Sequence, residues 1–378
     1  MKKMLVLLGV GLAWNGFAQE FKVVADRFAD VQILRYRAPE FDQLSLQQKK
    51  LAYYLTEAGY EGRDIFYDQK YRHGLLIRKT LEGILKSYSG DRGAPVFQEF
   101  ETYAKRVFFA NGIHHHYSAA KMAPGFSRDQ LAELLRKSDR SKPPLAGRTI
   151  EDFTNFIAPL LLDPAVDPKL IDLSPDIDNV KASAVNFYEG VTEEEVNDYY
   201  QKLKADVANS RISFGLNSKV VKENGEVREK KWMAGGMYGP AIQKIAGWLE
   251  KAVEVAENDQ QKKHLRELIA YYRTGDLERF DRHAVEWVKE TEARIDVVNG
   301  FVEVYQDPLQ MKGSFESVVS MKDMEASKRI AAISREAQWF EDQSPIQKEH
   351  KKENVVGISA KVITVLGESG DSAPATPV

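Results

Sequence analysis

Seven histidines and one run of carboxylates are the residues in this chain whose types and spacing could do chemistry. A hydrolytic zinc centre needs three protein ligands and an open position for water. Paired ligands on a helix must lie four residues apart so that both imidazoles face one metal. His73, His114, His115, His116, His264, His283 and His350 include no pair at that spacing, and neither His-Glu-x-x-Gly-His nor His-x-x-Glu-His occurs. The cluster His114–His116 has two readings. In a strand, His114 and His116 share a face and could hold a metal between them; otherwise the run is a hydrogen-bonded turn closing the preceding helix at Gly112.

Asp296, Glu303 and Asp307 lie on or near one extended segment. Carboxylates in a cleft can hold a peptide's free amine through charge-assisted hydrogen bonds. The plainer reading is a strand whose acids sit in water or cap nearby helices. Asp296 is an odd step from Glu303, so the two face opposite sides unless a bulge at Gly300 resets the phase. In the run Trp232 to Gly239, glycines precede a helix and could expose N–H groups to an anion, or simply make a tight strand-to-helix turn. The run is neither Gly-x-Gly-x-x-Gly nor a P-loop. With no Gly-x-Ser-x-Gly elbow and no cysteine, nucleophilic catalysis has no support.

The elements that must position these groups are mostly helical. Apolar periodicity predicts helices over Ser45–Ala58, His73–Tyr88, Pro95–Ala110, Tyr238–Glu257, Asp259–Tyr272 and Asp276–Glu290, with Gly275 as a break. Ser127 with Gln130, and Thr192 with Glu195, read as capping boxes, the second opening Val196–Val207. Lys322–Glu341 reads as one long amphipathic helix. Strands are fewer. Phe214–Lys222 and Glu226–Met233 flank Asn224-Gly225, a strong hairpin signal. Ile295–Tyr305 reads as a strand with Gly300 as a bulge or close-approach point, and Val355–Leu366 as another. Asp139–Arg148 and Asp163–Asn179 are loops. The tail Gly367–Val378 is either a terminus without structure or a loop cut in mid-course. The class is α+β, predominantly helical with a small β-core.

The 378 residues suffice for more than one domain. Fifty-three basic and 56 acidic residues give a net charge of −3, which supplies no electrostatic reason to expect nucleic acid. Lys2 and Lys3, the apolar run Met4–Trp14 and Gly16-Phe17-Ala18 predict a signal peptide over residues 1–18. The absence of cysteine excludes disulfides and a lipobox. Together these predict a bacterial periplasmic or secreted protein with no membrane association after cleavage.

Two strings carry a resemblance. Asn111-Gly112-Ile113-His114-His115-His116-Tyr117-Ser118 and Gly300-Phe301-Val302-Glu303-Val304-Tyr305-Gln306-Asp307-Pro308, the latter followed by Lys312-Gly313-Ser314-Phe315-Glu316, resemble the dipeptidyl peptidase III family of zinc exopeptidases, its bacterial branch above all. The resemblance runs from about Phe21 to the last residue. It implies a two-lobed peptidase of which this is the N-terminal portion: a lower lobe of helices around a small β-core over 19–315, the start of a helical upper lobe over 316–353, and a return segment to the cleft over 354–378, with the upper lobe largely missing. It implies zinc in complete relatives but none held by this chain, and no catalytic residue or metal ligand here. Short peptides are the implied partners. Asp296 matches the acid that receives the substrate amine, with Asn299 on the same strand. Gly367 and Gly370 fall at the sheet edge that an extended peptide joins. Val298 stands where eukaryotic members place a tyrosine that helps stabilise the transition state. The competing reading is a non-catalytic exported peptide-binding protein; a third is a structural helical protein in which these strings are incidental.

Overall fold

The computed structural model describes residues 21–205, 212–355 and 361–372. The signal-peptide expectation lies outside them. The described residues fall into two compact units, divided between Arg37 and Ala38. In the first, β1 (Val24–Phe28) and β2 (Val31–Leu34) form an antiparallel hairpin.

The second unit opens with six helices: α1 (Leu46–Glu61), α2 (Arg63–Lys70), α3 (Gly74–Ser87), α4 (Pro95–Phe109), α5 (Arg128–Arg136) and α6 (Ile150–Leu162). There follow a single turn, α7 (Asn179–Ala182), a two-residue strand, β3 (Tyr188–Glu189), α8 (Glu193–Ala205), and the hairpin of β4 (Ser218–Glu223) and β5 (Glu226–Lys231). Then come α9 (Gly239–Glu254), α10 (Asp259–Thr274), α11 (Leu277–Lys289), β6 (Ile295–Phe301), β7 (Phe315–Lys322), α12 (Met324–Arg335), α13 (Ala337–Gln343) and β8 (Ile363–Gly370). The α+β class is as read from the sequence.

Local signals explain most of these boundaries. Ser45 and Ser127 cap α1 and α5 with complete boxes, each side chain accepting from the backbone of a glutamine three residues on. Thr192 and Glu195 exchange the same two bonds ahead of α8. Asn224 and Gly225 both take positive φ, 52° and 85°, as a two-residue hairpin turn requires. Gly275, at φ 68°, ends α10 and donates to the Tyr271 carbonyl.

Two apolar clusters hold the unit together. One is built on α3 to α6 around Phe100, Phe153 and Leu131. The other joins α1, α9 and α10 to Trp232 and to the sheet β6-β7-β8. That sheet is antiparallel, with β7 between β6 and β8. Ile295, Val297 and Phe301 of β6 and Phe315, Val319 and Met321 of β7 are buried on one face. α1 packs there so closely that a Cβ on Gly59 would lie 2.6 Å from Ser317 Oγ.

The structure differs from the sequence reading at several boundaries. Lys322–Glu341 is not one helix. Its first residue ends β7, Asp323 caps α12 by accepting from Ala326 N at 2.8 Å, and Glu336 separates α12 from α13. Residues 316–322, read with the helical block 316–353, are instead the central strand of the sheet. Ser317 and Ser320 dilute the apolar alternation of β7, which hid it. β4 begins only at Ser218, and β6 ends at Phe301. β8 is shifted forward: it takes in Gly367 to Gly370, placed in the tail by the sequence, while 356–360 lie outside the described residues.

Candidate functional site

Strand alternation sorts the β6 residues into two sets. Asp296 and Val298 look away from the buried face, and their partners across the ladder are Ser320 and Val318 of β7. Gly300 belongs to the same row set, opposite Glu316. The register is continuous from Ile295 to Phe301, so Gly300 is no bulge; it is a close-approach point, since a Cβ there would lie 3.0 Å from the Phe280 ring of α11. Helix α11 thus crosses this second face. Between its C-terminal turn and the sheet lies a cavity of about 600 Å³.

Asp296 sits in that cavity. Its Oδ1 accepts from Trp287 Nε1 at 2.8 Å and from Val297 N at 2.8 Å. Its Oδ2 accepts from Lys361 Nζ at 3.1 Å. The same ammonium donates to the Glu290 carbonyl oxygen at 3.0 Å and lies 3.8 Å from Glu290 Oε2. Glu290 is buried, and its Oε1 accepts from Asn258 Nδ2, Glu292 N and Ala293 N. The remaining walls are mostly apolar, from Val288, Val298, Val318 and Ile363, with Thr291 and Ser320 as polar members. The arrangement is an ammonium seat beside an apolar slot.

Asn299 takes no part in it. It lies on the opposite face of β6, 2% exposed, and its Oδ1 accepts from Tyr272 OH at 2.5 Å. Its side chain ties β6 to α10 and does not line the cavity that holds Asp296. An odd separation from Asp296 already put Asn299 on the other face.

Gly367 and Gly370 lie on β8, opposite Val319 and Glu316. β8 is an edge strand, with β7 its strand neighbour. Gly367 presses on Thr56 of α1, where a Cβ would meet Cγ2 at 2.8 Å. Gly370 has φ 74°, and a Cβ there would lie 2.1 Å from the Phe315 carbonyl oxygen. Four rows separate Gly370 from the Asp296 row along β7, roughly 13 Å.

Acids gather at the Gly370 end. Asp371 accepts from Tyr305 OH at 2.7 Å and Gln306 Nε2 at 2.5 Å, while its Oδ2 has no hydrogen-bond partner among the described residues. Burial, then the charges of Asp371 and Glu303, push the Glu316 carboxyl up to about 7. Asp307, the third acid of the sequence run, is a clamp rather than a ligand: it accepts from Tyr188 OH and from the backbone of Leu309, Met311 and Lys312.

The histidine run forms a turn. His114 is buried, its Nε2 2.8 Å from the Asp167 carbonyl, and burial lowers its pKa to about 4. His115 Nδ1 accepts from Tyr117 N and Ser118 N. His116 stacks beside His115 and Tyr117 instead of joining His114. Among the described residues no group of three or more His, Asp or Glu could hold a metal ion. Those residues therefore do not fit a zinc centre. The Trp232–Gly239 run is a tight turn into α9, with Gly236 N donating to the Met233 carbonyl and Tyr238 OH to Asp68.

Three residues of the seat escaped the sequence reading: Trp287, Glu290 and Lys361. The first two sit within ten residues of Asp296, at the end of a recognisable helix, and could have been found there. Lys361 is 65 residues away and left no local signal.

The family model of peptidase family M49 matches residues 179–375. Dipeptidyl peptidase 3 of Homo sapiens is 22% identical over 367 residues, covering 89% of this chain and 50% of that one. The Mus musculus protein is 23% identical over 306 residues, covering 74% and 41%. The chain spans about half the length of the curated relatives it matches. The structure of DPP III from Caldithrix abyssi superposes with a TM-score of 0.61 at 19% identity, over 88% of this chain and 50% of that one. Dipeptidyl-peptidase III from Corallococcus sp. strain EGB gives 0.59 at 18%, over 89% and 51%. The chain belongs to peptidase family M49, the dipeptidyl peptidase III family.

Proposed function

We propose that this chain is the peptide-receiving portion of an exported M49 zinc dipeptidyl peptidase that releases dipeptides from peptide N-termini. The observation that carries this is the Asp296 carboxylate, held by Trp287 in an apolar-walled cavity on the face of a sheet whose edge strand carries Gly367 and Gly370. A carboxylate fixed at one end of a groove counts residues from a free amine. The first residue lies over the sheet face, beside Val298 and Val318, and the peptide then runs toward β8, where main-chain bonds give affinity with loose side-chain selectivity. The division into lower lobe, upper-lobe start and return segment belongs to the same reading, with β7 moved to the lower lobe.

The 378 residues contain no His-Glu-x-x-Gly-His motif, and the described residues offer no zinc ligand set. Hydrolysis is therefore assigned to the complete relatives and not to this chain alone. The predicted signal peptide at 1–18 supports export; no helix among the described residues is long and apolar enough to cross a membrane.

Calorimetry with tetra-alanine and its N-acetyl form tests the reading. The free-amine peptide binds more tightly, and Asp296→Asn abolishes that preference. Equal affinities for the two peptides sink it. Turnover of a dipeptidyl-naphthylamide by this chain, with zinc bound in stoichiometric amount, sinks the assignment of hydrolysis elsewhere.

A further inference from the structure

We propose that Lys361 is an intramolecular competitor for the substrate amine: its ammonium occupies, from within the chain, the seat on Asp296 that a peptide's α-ammonium takes. The inference rests on the reading of Asp296 as the amine-receiving acid and adds a residue that sets how open that seat is.

A primary ammonium has three N–H donors and no acceptor. The seat offers Asp296 Oδ2 at 3.1 Å, the Glu290 carbonyl at 3.0 Å and Glu290 Oε2 at 3.8 Å. Lys361 thus shows which chemical group the pocket accepts. A peptide amine is the same group on a shorter stem, and on Asp296 Oδ2 the two ammonium groups would have to share one carboxylate charge. Two cations side by side also repel, so entry of the peptide amine favours departure of the lysine head. The Lys361 side chain is 18% exposed and that of Asp296 15%. Its four-carbon stem lets the head swing out without the backbone following. The aliphatic part can stay against Ile363, at the rim of the cavity.

This is a population tax on binding. Apparent affinity falls by the fraction of molecules in which the seat is open. If Lys361 is seated nine times in ten, its removal tightens binding of a free-amine peptide by roughly tenfold. N-acetylated peptides, which bring no ammonium, gain nothing. Lys361→Arg keeps a cation on a long stem and stays close to the parent.

The test is calorimetry of the full chain, Lys361→Met, Lys361→Arg and Asp296→Asn with tetra-alanine and N-acetyl-tetra-alanine, each variant first checked for a cooperative thermal transition. The expected result is a gain confined to Lys361→Met and to the free-amine peptide, lost when Asp296→Asn is added. If free-amine preference and its dependence on Asp296 hold while Lys361→Met binds no tighter, the competitor is refuted and the amine seat stands. If neither peptide form nor Asp296 matters, both readings fail. No binding of tetra-alanine by Lys361→Met also overturns the proposal. Trace labelling with acetic anhydride, far below the peptide concentration so that the ligand is not consumed, with peptide mapping and Lys361 read relative to the exposed Lys328, supplies a readout on the unaltered chain. Saturating tetra-alanine should raise the labelling of Lys361 severalfold and N-acetyl-tetra-alanine should not; equal labelling in both counts against the competitor.

Discussion

Trp287 Nε1 donates to Asp296 Oδ1 at 2.8 Å, so the last turn of α11 aims a carboxylate that β6 carries. The indole closes one side of the cavity and leaves Oδ2 as the oxygen turned to the ammonium. An acid held this way has one geometry instead of several. Trp287→Phe keeps most of the ring and removes the donor. Hydrogen bonds to charged groups contribute about 1.5–3 kcal/mol; the carboxylate retains its bond from Val297 N. Since the lost bond aims the acid and does not touch the peptide, about half of that should reach binding: a loss of roughly three- to tenfold in affinity for tetra-alanine, about 0.7–1.4 kcal/mol, with the N-acetyl peptide unaffected. An equal loss for both peptides would make Trp287 a wall and not an aiming residue.

Asn299 makes the opposite prediction. Its bond to Tyr272 OH lies between β6 and α10 inside the core, away from the cavity. Asn299→Ala leaves a buried hydroxyl without its acceptor and opens a small void. The cost should be on the order of 2 kcal/mol in urea unfolding, with peptide affinity of the folded protein unchanged. Weakened binding without a loss of stability would restore Asn299 to the site.

The contrast between these two residues shows what the sequence made legible. Helix caps at Ser127 and Thr192, the Asn224-Gly225 turn and the stop at Gly275 are local devices, and each falls where its residues predict. The opposite facing of Asp296 and Asn299 follows from alternation alone. What stayed hidden is non-local. β7 is a strand because β6 and β8 flank it, although two serines interrupt its apolar pattern. Lys361 reaches Asp296 because β8 returns across the sheet, which no spacing along the chain announces.

Gly367 and Gly370 should respond unequally to alanine. At Gly370 the backbone is left-handed, at φ 74°, and the added Cβ would lie 2.1 Å from a carbonyl oxygen that has little freedom to move. A left-handed non-glycine residue costs about 1–3 kcal/mol before the clash is counted. At Gly367 the obstacle is the Thr56 side chain, which can rotate, so the overpacking should cost about 1 kcal/mol. Thermal denaturation of the two variants should therefore show the larger fall for Gly370→Ala. The reverse order would mean that the end of β8 is not held as described.

Glu316 predicts a pH dependence. Burial, reinforced by the Asp371 and Glu303 charges, raises its carboxyl from 4.5 to about 7. For an acid raised on folding, the folded state holds its proton to higher pH than the unfolded chain does. Below about pH 4.5 both states are protonated and the residue costs nothing. As pH rises toward 7 the unfolded chain releases its proton first, so stability declines, and above about 7 the loss is complete. Glu316→Gln keeps the shape and removes the titration. Urea unfolding should give equal stabilities for parent and variant near pH 4 and an advantage for the variant of about 1–3 kcal/mol at pH 8, growing between those limits. Its neighbours matter: Asp371 receives Tyr305 and Gln306 and feels the buried Lys70 ammonium, so Asp371→Asn should lower the Glu316 value and narrow the window. Stability curves for parent and Glu316→Gln that run parallel from pH 4 to 8 would show that Glu316 is already ionised in the folded protein.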